Sequence, residues 1–353
     1  MPAEFEPHRG CWLLWPTRLD NWREGAIPAQ QAFTLVATTI AAFEPVSVGV
    51  DPANYAAARA ALPKSIRVVE LASDDAWMRD VGPTCLVNDQ GKIRGVDWQF
   101  NAWGGLRGGL YHPWDQDDQV AAKILAAEGL GRYRAPFICE GGAMHSDGQG
   151  TLLVTEECLL NPNRNPHLDQ VQIEQLLMDY TGARCVVWLG EGVLNDETDG
   201  HIDNLACFSA PGEVVLLWSE DPSDPQTKIC ADAYRRLSLA RDAQGRNFLV
   251  HKLLMPGPLY ASKAEVSGLA VCGTAKTRTA GARLAASYVN FYLPNGGVVA
   301  PLLDSRTDDF MLQQLKNIFP QRRIVGVPAR EILLGGGNIH CITQQIPLGV
   351  GLL

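Results

Sequence analysis

The order strand, strand, helix, strand recurs along this 353-residue chain, and the recurrence limits the possible folds more than any other feature. In the clearest copy Leu205–Ser209 reads as a strand, Pro211-Gly212-Glu213 as a turn and Val214–Trp218 as a second strand. Pro225 to Ala240 follows as a helix and Asn247–Lys252 as a third strand. Ala286 to Val327 repeats the order, with strands Ser287–Tyr292, Val298–Leu302 and Arg323–Val327 and a helix over Thr307–Ile318. Thr307 suits the cap of that helix, and Asp308 and Asp309 suit its positive end. A third copy is expected from strands Thr151–Thr155 and Cys158–Asn161, a helix over Leu168–Tyr180 and a strand Arg184–Leu189. A fourth comprises Thr84–Val87, Lys92–Phe100, a helix near Asp117–Glu128 and a strand near Arg134–Ile138. A degenerate copy lies within Gly10 to Leu71.

Length alone would allow two or three domains. A unit of this kind needs neighbours to cover its apolar face, so about five units predict a ring around an axis. The expectation is therefore one cyclic α/β domain over residues 1–353. A content of 46% hydrophobic and 20% charged residues is that of a globular chain. The net charge of −9 and the lack of a basic face argue against a nucleic-acid partner. Apolar runs such as Val214–Trp218 are too short to cross a membrane, and the segment Met1 to Gly10 has no basic and apolar leader, so no membrane or secretory role is expected. Nine widely spaced cysteines without a CxxC predict buried thiols in a reducing cytoplasm, not a disulfide framework or a zinc ribbon.

The polar motifs fall in the connections between units. Trp77-Met78-Arg79-Asp80-Val81-Gly82-Pro83 enters one unit, Glu140-Gly141-Gly142 the next, and Asn195 to Asn204, containing His201 and Asp203, the one after. Gly335-Gly336-Gly337-Asn338-Ile339-His340-Cys341 follows the last. Equivalent connections of a ring meet near its axis, so Asp80, Glu140, His201, Asp203 and Cys341 are expected to be close in space. Each has a bland alternative taken alone: a buried thiol, a satisfied histidine, an Arg79–Asp80 surface pair, a turn-capping glutamate. Their convergence outweighs these. On a strand, His201 and Asp203 would face the same side. HExxH, EF-hand, phosphate-loop and GxSxG patterns are all missing from the sequence.

Carboxylates, a thiol and an imidazole together can process a planar cation. A guanidinium offers N–H donors in a fork that matches carboxylates, and Asp80 and Asp203 could hold one with its carbon over Cys341. Attack by a thiolate splits a difficult displacement into two easier steps. His201 could protonate departing ammonia and then activate water, with Glu140 orienting it.

Longer strings carry a resemblance as well. They are Pro2 to His8, Ala76 to Pro83, Phe100 to Gly105, Glu156 to Leu160, Asn165 to Leu168, Asn195 to Asn204, Ala286 to Tyr292 and Gly335 to Gln345. Over nearly its whole length the chain resembles the agmatine deiminases of the guanidine-modifying (pentein) superfamily. The resemblance implies a five-bladed pseudo-symmetric α/β propeller, the pentein fold. It also implies hydrolysis of agmatine to N-carbamoylputrescine and ammonia without metal or cofactor, in polyamine biosynthesis, by a homodimer or larger homo-oligomer. It places the nucleophile at Cys341, the acid/base at His201, its partner at Glu140 and the guanidinium carboxylates at Asp80 and Asp203. Trp77 and Glu197 match positions that line the aliphatic chain and attract the distal amine. Asp74, Ala143, Met144 and Ser146 depart from the family pattern and spare these residues. An acidic mouth of Trp77, Asp196, Glu197 and Asp199, with Arg79 as its one nearby cation, would favour agmatine over arginine. Deimination of arginine or peptidylarginine is the alternative on the same core, an amidinotransferase is a further variant, and a non-catalytic ring module is the alternative of another class.

Overall fold

In the computed structural model, which describes residues 1–349, five small sheets follow one another along the chain. Four of them combine an antiparallel pair with parallel pairing, as a ββαβ unit requires, and the fifth is a parallel pair with one antiparallel bridge. In the second unit Thr84–Val87 runs antiparallel to Ile93–Gln99, which is parallel to Gly131–Ile138. The third pairs His145–Ser146 with Thr151–Thr155 and then Cys185–Leu189, and the fourth pairs Ala206–Ala210 with Glu213–Trp218 and then Leu249–Leu254. The fifth pairs Gly297–Leu302 with Arg323–Pro328. Helices Val120–Ala127, Gln170–Thr181, Gln226–Leu239 and Asp308–Ile318 make the crossovers. This is the mixed α/β architecture expected.

The first unit differs from its expected form. Its opening strand is not within Gly10 to Leu71 but is Gln344–Pro347 from the far end of the chain, antiparallel to His8–Leu14. His8–Leu14 is parallel to Val46–Val50 across helix Ile27–Ile40, and Arg67–Glu70 adds a further parallel strand. The last strand thus closes onto the first. Contacts also join every neighbouring pair of units. Trp12 Nε1 donates to Glu128 at 3.2 Å, and the Trp98 and Tyr180 rings lie 5.9 Å apart. Arg236 pairs with Glu156 at 2.7 Å, Gln314 donates to Lys252 O at 3.2 Å, and Tyr292 donates to Glu44 at 2.7 Å. These are the seams that a five-unit ring needs.

Two expected strands are something else. Glu156–Leu159 is a helical turn, because the Thr155 side chain accepts from Cys158 N and two acidic residues occupy its first turn, so Cys158–Asn161 is no strand. Its place is taken by His145–Ser146. Of Ser287–Tyr292 only Tyr292 pairs, with Val299, since Ser287 and Asn290 turn their side chains to Asn204 O and to His340 N and Cys341 N. All nine cysteines are free. Among the described residues no helix is long and apolar enough to cross a membrane.

Candidate active site

A short turn precedes the opening strand of each unit, and each turn brings one polar side chain to a common buried centre. Asp80 lies on the helical turn Met78–Val81, Glu140 before the 3-10 turn Gly141–Ala143, and Asp203 on Ile202–Leu205. Cys341 lies just before Gln344–Pro347, and Asn290 just before Tyr292. The five expected residues are thus brought together, each at most 5% exposed. The expected strand geometry of His201 and Asp203 is not found. His201 instead enters the helical turn that carries Asp203. On this turn the two side chains still converge, because a glycine opposite leaves room. A Cβ on Gly142 would lie 2.6 Å from His201 Nδ1, 2.8 Å from Asp80 Oδ1 and 3.0 Å from Asp203 Oδ2.

Cys341 Sγ lies 3.6 Å from Asp203 Oδ2, and Asn290 Nδ2 donates to the sulfur at 3.2 Å. Burial, then Asp203 and Asp80, push the thiol well above its ordinary range. His201 sits between two carboxylates, with Nδ1 3.7 Å from Asp80 and Nε2 3.6 Å from Glu140. Burial opposes its charge, but Asp80, Cys158 and Glu140 outweigh burial and hold the imidazole well above its usual range. Burial would raise Glu140, yet Arg164, 2.7 Å away and itself buried, lowers it overall. Asp80 accepts from Gly142 N at 2.9 Å and from Trp103 Nε1 at 3.0 Å. Burial nevertheless raises it to about 6, with His201 opposing and Asp203 and Glu140 reinforcing. Trp103 reaches Asp80 from a loop in which Ala102 and Trp103 both hold positive φ, a cost met at functional sites.

Two of the three unpartnered buried atoms here, Glu140 Oε2 and His201 Nε2, face each other at 3.6 Å, so the imidazolium donates towards Glu140 on the side away from the aspartates. The third, Asp203 Oδ1, is an acceptor without a donor, which buried polar atoms seldom are. A planar N–H donor would satisfy it.

Trp77 borders this space. A Cβ on Gly337 would be 2.5 Å from the Trp77 ring and 3.0 Å from Cys341 Sγ. Glu197 lies in the same cleft, with Trp103 and Gly335. The expected acidic mouth is not found. Asp196 is turned inward to Thr198 and Asn204, and Asp199 pairs with Arg164 at 2.8 Å. Glu197 pairs with Arg278 at 2.7 Å. Arg79 is not at the mouth either. It is buried beneath, held by Glu4, Gln344, Gln345 and His340 O. Arg278 belongs to a long connection between the fourth and fifth units that lies across the opening. Its backbone bonds Leu19 and Glu24 of the first unit and Leu110 and His112 of the second.

Sequence reasoning missed Asn290, Arg164, Arg278, Glu4 and His340. Asn290 could have been found, because it occupies in the fifth unit the place that Asp80, Glu140, Asp203 and Cys341 occupy in theirs. The others carry no repeat signal.

Five ββαβ units that each send one polar side chain to a common centre define an α/β ring protein with a cysteine-centred site. The family model described as Porphyromonas-type peptidyl-arginine deiminase matches residues 1–347, and the chain belongs to that family. It is 55% identical to the agmatine deiminase of Pseudomonas aeruginosa over 98% of this chain and 95% of that one. It is also 55% identical to the agmatine deiminase of Ectopseudomonas mendocina, over 99% and 96%. The solved agmatine deiminase of Enterococcus faecalis superposes with a TM-score of 0.96 at 47% identity, over 99% of this chain and 95% of that one.

Proposed function

We propose that this protein is an agmatine deiminase, hydrolysing agmatine to N-carbamoylputrescine and ammonia through an amidino adduct on Cys341. The observation that carries the chemistry is the convergence of Asp80, Asp203 and His201 at Gly142, with Asp203 Oδ2 3.6 Å from the Cys341 sulfur and Asp203 Oδ1 without a donor. A guanidinium between Asp80 and Asp203 supplies the missing donors. It also brings positive charge beside a thiol that burial and the aspartates keep protonated, so the bound substrate favours the thiolate, whose proton is lost to solvent. Attack on the guanidinium carbon gives a tetrahedral adduct. The imidazolium of His201 protonates the departing nitrogen, and ammonia leaves. The imidazole then takes a proton from water, which attacks the adduct and frees Cys341. Glu140, fixed by Arg164, orients His201. The chain acts as one catalytic domain. A cytoplasmic homodimer or larger homo-oligomer completes the reading.

The choice of agmatine rests on the near-full-length relatives that bear that name, with Trp77 along the aliphatic chain and Glu197 towards the ammonium. Arg278 favours a second reading, since its guanidinium at the mouth could pair with the carboxylate of arginine. Ammonia release from agmatine, arginine and a blocked arginine peptide decides between them. Agmatine is expected to lead arginine by about 100-fold in kcat/KM, which is ~2.7 kcal/mol. Comparable values would sink the agmatine reading. Trapped enzyme should carry the amidino group on Cys341 alone, and an adduct on another cysteine would remove the mechanism.

A further inference from the structure

Behind Asp203, away from the cleft, lies a second line of buried charge that the reaction does not use directly. His340 Nδ1 is 2.8 Å from Asp203 Oδ2, and His340 Nε2 is 2.8 Å from Glu4 Oε2. Glu4 in turn accepts from Arg79 Nη2 at 3.1 Å and from Leu293 N at 2.9 Å. His145 stacks on the His340 ring at 6.0 Å. All of these side chains are buried.

A carboxylate can only accept when ionised, so a ring with a carboxylate at each nitrogen must donate from both, which makes it an imidazolium. The line Asp203, His340, Glu4, Arg79 then alternates in sign and sums to zero. That is how buried charges avoid the full cost of desolvation.

We infer that His340 is a positioning residue: as a permanent imidazolium it pins Asp203 Oδ2, keeps Asp203 ionised and leaves Oδ1 free for the substrate, with Glu4 of the N-terminal segment fixing it from behind. The inference rests on the reading of Asp203 as a guanidinium carboxylate. Further observations agree. Asp203 Oδ1 is the unpartnered oxygen, and Oδ2 the bonded one. Asp80, an equally buried carboxylate whose nearest imidazole nitrogen is at 3.7 Å and not 2.8 Å, is pushed up to about 6. Asp203 instead falls below its usual range, because His340 outweighs burial, with His201 and Arg79 helping. His340 itself is raised, since Glu4 and Asp203 overcome burial and Arg79. His145 faces the same ring and is lowered to about 4, first by burial, so it stays neutral and does not compete. Cys341, Asp80, Asp196 and Cys207 are the other ionisable groups near Asp203.

The test is the pH profile of kcat/KM for agmatine in the wild type, His340→Gln and Glu4→Gln. Without the imidazolium, Asp203 takes up a proton more readily. The acid limb, set near 6 by Asp80 in the wild type, should steepen from one proton towards two in His340→Gln as Asp203 rises towards the same range, and by less in Glu4→Gln, which leaves the reacting groups untouched. In an Asp203→Asn background, His340→Gln should change kcat/KM by less than about twofold, because it acts through Asp203. The ring nitrogens of His340, assigned in ¹⁵N spectra by their loss in His340→Gln, should keep both protons to pH 8. An acid limb unchanged in slope and position, additive losses in the double variant, or a His340 ring that loses a proton below pH 7 would each overturn the inference. Full activity of Asp203→Asn would instead remove the role of Asp203 itself, while the ring spectrum would still report on His340 alone.

Discussion

At the residue scale, the buried centre pairs Glu140 with Arg164 and Asp203 with His340 closely, and Asp80 with His201 less closely. Asn290 touches Cys341 without being ionisable, since its Nδ2 donates to Cys341 Sγ while its Oδ1 accepts from His340 N and Cys341 N. Asn290→Ala should remove a donor that favours the thiolate and loosen the turn carrying Cys341. A fall in kcat of about 10–100-fold is expected, with a smaller change in KM, in steady-state kinetics. Asp80 illustrates the cost of the looser pairing. Its folded pKa is raised to about 6 from an ordinary 3.8. The native state therefore holds the proton more tightly. The penalty is nil at low pH, grows as pH rises from about 3.8 to 6, and is complete above that. Asp80→Asn should be inactive yet more stable than wild type at pH 8, by roughly 1–3 kcal/mol, with the difference vanishing near pH 4. Denaturant melts at the two pH values check it, and equal stability at both would remove the argument.

At the element scale, what matters is that the site stands on turns just ahead of the opening strands. The turn Gly141–Ala143 can approach His201 and the two aspartates only because Gly142 has no side chain. Gly142→Ala should place a methyl where the guanidinium belongs. Loss of detectable turnover is expected, with a much smaller loss in melting temperature than a core cavity would cause. Glu140 precedes the same turn and is held by Arg164. Glu140→Gln keeps the shape and removes the charge that favours the imidazolium. It should lower kcat by about 10²–10³-fold, within the range for acid–base groups, while KM changes little. A large rise in KM at constant kcat would show that Glu140 holds substrate instead. At this scale the sequence was only partly legible. Hydrophobic periodicity and turn residues located the long helices and most strands. They misread Cys158–Asn161 and Ser287–Tyr292, where caps and long-range side-chain bonds override strand propensity. They also weighed His201 and Asp203 as a pair on a strand, when the segment is the entry to a helical turn.

At the scale of the whole molecule, the strand Gln344–Pro347 ties the end of the chain to its beginning and lies three residues from Cys341. Ring closure and placement of Cys341 are therefore linked. Ile346 is buried in that strand. Ile346→Asp would set an unpaired carboxylate in the core and should destabilise the protein by several kcal/mol, with activity and folded structure lost together in urea titrations. Folded but inactive protein would show that closure and catalysis are separable. The connection carrying Arg278 spans the mouth from the fourth unit to the first two, so the environment of Glu197 is set by a segment far from it in sequence.

The sequence by itself determined the repeated ββαβ order, and with it the convergence of Asp80, Glu140, His201, Asp203 and Cys341, because side chains at equivalent places in a cyclic repeat must meet. It could not determine the partners of those residues. Arg164 beneath Glu140, His340 and Glu4 behind Asp203, Arg278 on Glu197 and the inward turn of Asp196 and Asp199 were decided by the tertiary structure alone. Pairing of buried charges depends on distances of a few ångströms between segments hundreds of residues apart, and no local pattern of residue types encodes such distances.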